Sequence, residues 1–242
     1  MEKNYNPKSG KHRRNGLHYQ VESSEIKQFH DLGYLILNDV LTEEEMQTLD
    51  PWFEHFIMGN EKEKMAKDFC DMSQPYGTPF EEFRLVNAML PSLYREEFAN
   101  NILQKISQNI ANQLYQNGKA AIDYEQFLAK KPSKEKAEFA MHQDLGYWPK
   151  TKNTWTATFS LAMNDADVLN GCLYLIPGSN IEPELRTHKP KDYSNQMEDG
   201  SVNREESHTL IIDVQPDDKI MYLPVKRGSI TIHDERIVHG SG

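Results

Sequence analysis

His142 and Asp144 stand one residue apart in the stretch Ala140-Met141-His142-Gln143-Asp144-Leu145. On a β-strand, side chains alternate between faces, so residues i and i+2 point the same way and Gln143 points the other. An imidazole and a carboxylate side by side are two thirds of a 2-His-1-carboxylate set. Such a set binds one face of an octahedral Fe(II) and leaves positions open for a cosubstrate and O2. The plainer alternative is a strand-end histidine hydrogen-bonded to a nearby acid. The chain has nine His, so one His-x-Asp arises easily by chance, and the metal reading needs a third ligand from a distant strand. The last residues offer two: Ile232-His233-Asp234-Glu235-Arg236-Ile237-Val238-His239. His239 is the natural third ligand. His233 is its rival, since it too follows a strand and shares parity with His239.

The elements that must bring these residues together are readable from pattern. Ser23-Ser24 caps a short helix carrying Ile26 and Phe29, stopped by Gly33, and Tyr34-Leu35-Ile36-Leu37 is a strand. Thr42 and Glu45 form a capping box opening a helix with Met46, Leu49, Phe53 and Phe56 on it. Residues 60–82 are irregular, and Phe83-Arg84-Leu85-Val86 is a short strand. After Pro91 the spacing of Leu93, Phe98, Ile102, Leu103, Ile106, Ile110 and Leu114 predicts one long helix with a buried stripe, ended by Gly118. A strand over 121–129 and a charged connector over 130–136 lead into the His142 strand. From there the pattern is β: 154–161, 172–176, 210–212, 220–223 and 229–233. The polar stretch 181–207 lacks any period and is expected to be a mobile flap over the substrate side. Residues 1–20 are expected to form a mobile tail pinned at its end, and residues 21–242 a single domain of N-terminal helices followed by an antiparallel β-sandwich or barrel.

Composition bounds the function classes. The 242-residue chain carries a formal net charge of −10 and a mean hydropathy of −0.74, which disfavours nucleic acid or an anionic membrane as partner. No apolar run approaches the roughly 18 residues of a membrane span, and the N-terminus has no signal-peptide core. Cys70 and Cys172 are the two cysteines, expected as reduced thiols in a cytoplasmic protein.

Taken in order, several short motifs give the chain a resemblance to a known family. They are Phe29-x-x-x-Gly33-Tyr34, Gln126-Phe127-Leu128-Ala129-Lys130, His142-Gln143-Asp144, Asn170-Gly171-Cys172-Leu173, Ile176-Pro177-Gly178-Ser179 and His239-Gly240-Ser241-Gly242. The sequence resembles the phytanoyl-CoA dioxygenase-like family of Fe(II)- and 2-oxoglutarate-dependent oxygenases. The resemblance implies a double-stranded β-helix, a distorted jelly-roll or cupin-like barrel with iron inside one mouth. It implies His142, Asp144 and His239 as iron ligands, 2-oxoglutarate and O2 as cosubstrates, and hydroxylation of a small molecule with succinate and CO2 as co-products. Gln143 and Ser241 match positions lining the 2-oxoglutarate pocket, Gln143 less directly because it points away from its neighbours. Lys130 matches a basic position of the family. Halogenating relatives lack the carboxylate, so Asp144 argues against halogenation.

Arg84 is assigned to the anionic cosubstrate or substrate on its own pattern. It lies between apolar residues, where an unpaired guanidinium is unfavourable and a bidentate carboxylate contact would satisfy it; a structural salt bridge is the alternative. Tyr147 and Trp148 are expected as substrate-pocket walls. Two departures from the family stand out. Ser160 occupies a place where some relatives carry Trp, and the basic residue that relatives place shortly beyond the final His-Gly-Ser is missing before Gly242. The chain is therefore expected to be truncated at its C-terminus, wanting a strand after His239 to pair an open edge, unless Arg84, Lys130 or Arg236 holds the distal carboxylate. The alternative reading is a catalytically silent family member that binds metal without cosubstrate.

Overall fold

The computed structural model describes residues 12–116, 119–131, 137–148, 155–191 and 209–242. In chain order its elements are β1 (Arg14–Asn15), β2 (His18–Tyr19), α1 (Ser23–Leu32), β3 (Tyr34–Leu37), α2 (Glu43–Ile57), α3 (Lys62–Met65), β4 (Phe69–Asp71), β5 (Leu85–Met89), α4 (Pro91–Tyr94) and α5 (Ile102–Leu114). Then follow β6 (Gln126–Lys130), β7 (Phe139–His142), β8 (Ala157–Leu161), β9 (Leu173–Leu175), β10 (Lys189–Pro190), β11 (Leu210–Ile211), β12 (Met221–Leu223), β13 (Ile230–Asp234) and β14 (His239–Ser241). Every α-helix among the described residues precedes β6, as the pattern of periods predicted.

Two antiparallel sheets face each other, one ordered β12-β9-β14-β7 and the other β3-β13-β8. The chain alternates between them, from β7 to β8 to β9, and again from β12 to β13 to β14. Alternation along the strands sorts the residues of the second sheet. Leu35, Leu37, Ile230, Ile232 and Phe159 pack outward with Phe29 of α1 and with Ile106 and Ile110 of α5. Tyr34 and Ile36 point inward, against Leu173, Leu175 and Leu223 of the first sheet. Each fully buried side chain of this kind contributes roughly 1.5–3 kcal/mol. On the inner face the register sets His233 opposite Thr158 and Thr231 opposite Ser160. A third sheet, β4-β5-β6, packs Val86, Ala88 and Phe69 against Phe56 of α2.

Several expectations need correcting. Residues 12–20, placed in a mobile tail, form the β1–β2 hairpin, because Arg13 pairs with Glu25 at 2.7 Å and Arg14 with Glu45 at 2.6 Å; residues 1–11 lie outside the described residues. The long helix after Pro91 is broken. Asn100 adopts φ +58°, and Asn101 then caps α5, its Oδ1 accepting from the Gln104 amide at 3.1 Å. The apolar period runs on in phase across the break and conceals it. Residues 60–82 contain α3 and β4 rather than loop alone. The strand expected at 121–129 starts at Gln126, and the one expected at Phe83 starts at Leu85, which leaves Arg84 in the bend before it. β14 lies between β9 and β7, so the open edge expected beside His239 is absent.

Gly33 closes α1 at φ +80°. A Cβ there would come within 2.8 Å of Asn180 and 2.9 Å of Ile237 Cδ1, the latter in the loop leading to His239. Gly33→Ala is expected to destabilise the fold by about 1–3 kcal/mol, the strain of a left-handed non-glycine residue, with more from the clash. Thermal or urea unfolding measures this; an unchanged midpoint would mean that the turn yields freely.

Candidate metal centre

β7 and β14 are neighbours, with the Cα of His142 paired with that of His239. Two residues 97 positions apart thus stand side by side. Asp144 opens the 3-10 turn after β7, and Gln143 keeps the extended conformation between, so the i, i+2 alternation carries Asp144 to the same face as His142. The Nε2 atoms of His142 and His239 lie 3.4 and 3.5 Å from Asp144 Oδ1. One donor atom from each of the three residues lies within 4.8 Å of the other two, a set able to hold a metal ion.

The donors are oriented from behind. His142 Nδ1 bonds the Ala140 carbonyl at 2.8 Å, and His239 Nδ1 bonds the Ile237 carbonyl at 3.0 Å. A carbonyl only accepts, so each Nδ1 carries the proton and each Nε2 keeps its lone pair for a metal. Burial pushes the His239 pKa well down, with His233 and His142 adding to the effect, and the ring stays neutral as a ligand must be. Burial alone would raise the Asp144 pKa. The imidazoles of His239, His142 and His233 outweigh it and hold the carboxyl well below its usual range. Its second oxygen, Oδ2, accepts the Thr158 hydroxyl at 2.6 Å, which leaves Oδ1 facing the two histidines.

The other expected residues divide. Gln143 is fully buried on the opposite face; its amide nitrogen donates to the Arg236 carbonyl and its Oε1 accepts from the Arg186 amide at 2.9 Å. It thereby locks the turn after His142 to the loop before His239, a positioning task in keeping with its place on the face away from His142 and Asp144. Ser241 is buried two residues after His239 on β14. Lys130 ends β6 with its Nζ buried and without a hydrogen-bond partner among the described residues, and burial pushes its pKa down. Arg84 is half-buried in the bend ahead of β5, not in the strand where it was expected, and has interactions of its own. Arg236 spends its guanidinium on the carbonyls of Asn180 and Glu182, at 3.1 and 2.7 Å.

Tyr147 is exposed and meets His142 edge-on at 5.4 Å between ring centroids, its hydroxyl accepting from the Leu210 amide at 2.8 Å. Trp148 is half-buried next to it. His188 was missed. Its Nε2 accepts from the Gln143 amide at 3.2 Å, and its ring lies so close to Gly146 that a Cβ there would come within 2.6 Å. It falls in the unpatterned stretch 181–207, where no periodicity could single it out; residues 192–207 of that expected flap lie outside the described residues. A surface cavity lined by Ser179, Glu182, Arg186 and Asp218 contains none of the metal-directed side chains.

Two facing sheets with a His-Asp-His set on neighbouring strands define a class of β-fold metal site. Residues 29–242 match the family model of phytanoyl-CoA dioxygenase (PhyH), and the chain belongs to that family. It is 25% identical over 229 residues to the peroxisomal phytanoyl-CoA dioxygenase of Rattus norvegicus, covering 92% of this chain and 64% of that protein. The chain thus spans just under two thirds of that relative's length. Among solved structures, EvdO2 from Micromonospora carbonacea var. aurantiaca complexed with 2-oxoglutarate is similar at a TM-score of 0.65 and 20% identity, over 92% of this chain and 84% of that one. The α-ketoglutarate-dependent carbocyclase SnoK from nogalamycin biosynthesis is similar at 0.66 and 19%, over 98% and 80%. These likenesses show the fold.

Thr158→Val keeps the shape and removes the hydrogen bond that orients Asp144. Affinity for a divalent metal, measured by competition with a chelator, is expected to fall roughly ten- to a hundredfold. Unchanged affinity would show that the carboxylate needs no such hold.

Proposed function

We propose that this chain is an Fe(II)- and 2-oxoglutarate-dependent dioxygenase that hydroxylates a small molecule. The observation that carries the reading is the convergence of His142, Asp144 and His239, two neutral imidazoles and one carboxylate, inside a member of the PhyH family. The interleaved course of the two sheets fits a double-stranded β-helix. Fe(II) held there, with 2-oxoglutarate and O2, supplies the oxidising power to convert a C–H into C–OH, with succinate and CO2 as co-products.

The protein's own part is to place groups around that centre. Lys130 is the basic group suited to the distal carboxylate of 2-oxoglutarate. Its buried Nζ lacks a hydrogen-bond partner among the described residues and lies against Gly171, where a Cβ would come within 2.1 Å of it and 2.6 Å of the Gly242 carbonyl. It therefore stands at the end of β14, beside Ser241, whose hydroxyl is a natural second donor. A carboxylate arriving there would relieve the unfavourable burial of an unpaired ammonium. Arg236, with its guanidinium engaged elsewhere, and Arg84, outside the strand, are poorer candidates. Tyr147 and Trp148, at the outer side of His142, suit a wall of the substrate pocket. The two buried free thiols, Cys70 and Cys172, fit a reducing compartment such as the cytoplasm. Among the described residues no helix is long and apolar enough to cross a membrane.

Succinate formation that requires both Fe(II) and 2-oxoglutarate, followed across a panel of small metabolites, tests the reading. Oxygen consumption with no need for 2-oxoglutarate would point to a different metal enzyme. Asp144→Ala removes a ligand and the charge compensation of the metal, and is expected to abolish turnover and weaken metal binding; undiminished turnover would remove the facial set. Lys130→Met should weaken 2-oxoglutarate binding roughly ten- to a hundredfold, the equivalent of about 1.5–3 kcal/mol for a charge-assisted hydrogen bond. Equal affinity would place the carboxylate elsewhere.

A further inference from the structure

The centre contains a third histidine that the ligand set does not use. His233 lies on β13, 4% exposed, with its ring centroid 4.0 Å from that of His239. Its Nε2 is 3.3 Å from Asp144 Oδ2, a charge contact with an oxygen already bonded by Thr158, and among the described residues neither ring nitrogen of His233 has a partner in hydrogen-bond geometry. Buried polar atoms are rarely left without a partner. The two ligand histidines differ from it in one respect: each has its Nδ1 tied to the carbonyl two residues back. His233 has no such tie, so either nitrogen is free to carry the proton. It also stands outside the set of donors that share one metal-sized space. Its side chain faces inward with Thr158, opposite it in the register, and with Thr231 and Ser160 one pair further on.

We propose that His233 is a cosubstrate-contacting residue, hydrogen-bonding the metal-bound end of the 2-oxo acid. The chemistry fits from both sides. A 2-oxo acid bound to a metal through its carboxylate and keto oxygens presents acceptors next to the carboxylate ligand. His233 offers an N–H adjacent to that ligand, its ring 4.0 Å from that of His239 and its Nε2 3.3 Å from Asp144 Oδ2. This assignment rests on the proposed function and adds to it a residue outside the ligand motif.

The test is an anaerobic titration of the Fe(II)-loaded full chain with 2-oxoglutarate, following the visible charge-transfer absorbance of a metal-bound 2-oxo acid. Wild type is compared with His233→Ala and His233→Gln, and iron content and affinity are measured in parallel. Both variants are expected to bind iron like the wild type. His233→Ala should bind 2-oxoglutarate about tenfold more weakly, with its absorbance maximum displaced, while His233→Gln, which keeps an N–H donor, recovers most of the affinity. Unchanged affinity and absorbance in His233→Ala would overturn the assignment and leave the proposed function standing. Loss of iron from the alanine variant would make His233 a ligand and also overturn it, as would failure of both variants to fold. Wild-type protein that holds iron but gives no such absorbance at saturating 2-oxoglutarate would defeat the proposed function, and this inference with it.

Discussion

A carboxylate placed among three imidazoles is the constraint on which the site's architecture turns. Burying the Asp144 charge without compensation would cost several kcal/mol, and the surrounding protein groups answer it only in part. Two histidines face Oδ1, and the Thr158 hydroxyl takes Oδ2. Each group comes from a different strand, β7, β14 or β8, so the charge can be balanced only when both sheets are assembled. The inner face of the β-sandwich is polar here for that reason, while the outer face of the β3-β13-β8 sheet packs hydrocarbon against α1 and α5. A cation at this point would complete the balance.

The turn after β7 must therefore be held firmly. The Leu145 amide donates to the Glu235 carbonyl at 2.9 Å, and the Gln143 side chain reaches the backbone of Arg236 and Arg186. These bonds join the segment carrying Asp144 to the segment leading into His239. Arg236 in turn binds carbonyls at Asn180 and Glu182. Residues close to the ligands in sequence thus serve mostly to fix loops against one another, which suits a site whose donors must keep their places without a helix beneath them.

Much of this was legible in the sequence, for identifiable reasons. Strand alternation put His142 and Asp144 on one face and Gln143 on the other, because pleat geometry depends on nothing beyond the strand itself. The capping box at Thr42 and the left-handed Gly33 are equally local, and both are present. What failed was non-local or masked by a stronger signal. The break before α5 hid behind an uninterrupted apolar period, although Asn101 followed three residues later by Gln104 was a readable cap. His233 was weighed as a rival of His239, whereas the structure brings both rings to Asp144, a result that depends on the pairing of β13 with β8. His188 arrives from a stretch with no pattern at all. The open edge expected beside His239 followed from chain order, which does not reveal that the strand inserts between β9 and β7.

That insertion has a kinetic side. The pairing of His142 with His239 closes a loop of 97 residues, that of Leu37 with Ile230 a longer one of 193 (230 − 37), and loop closure becomes less favourable with length. Contacts of this kind form slowly and late, after hairpins and helices whose partners are near in sequence. With the still longer closure of β3 on β13, the β7–β14 seam is thus one of the later steps of assembly. A metal ion gripping both sides would act as a reversible cross-link across it, stabilising the folded state by mass action and slowing any opening of the barrel that begins there.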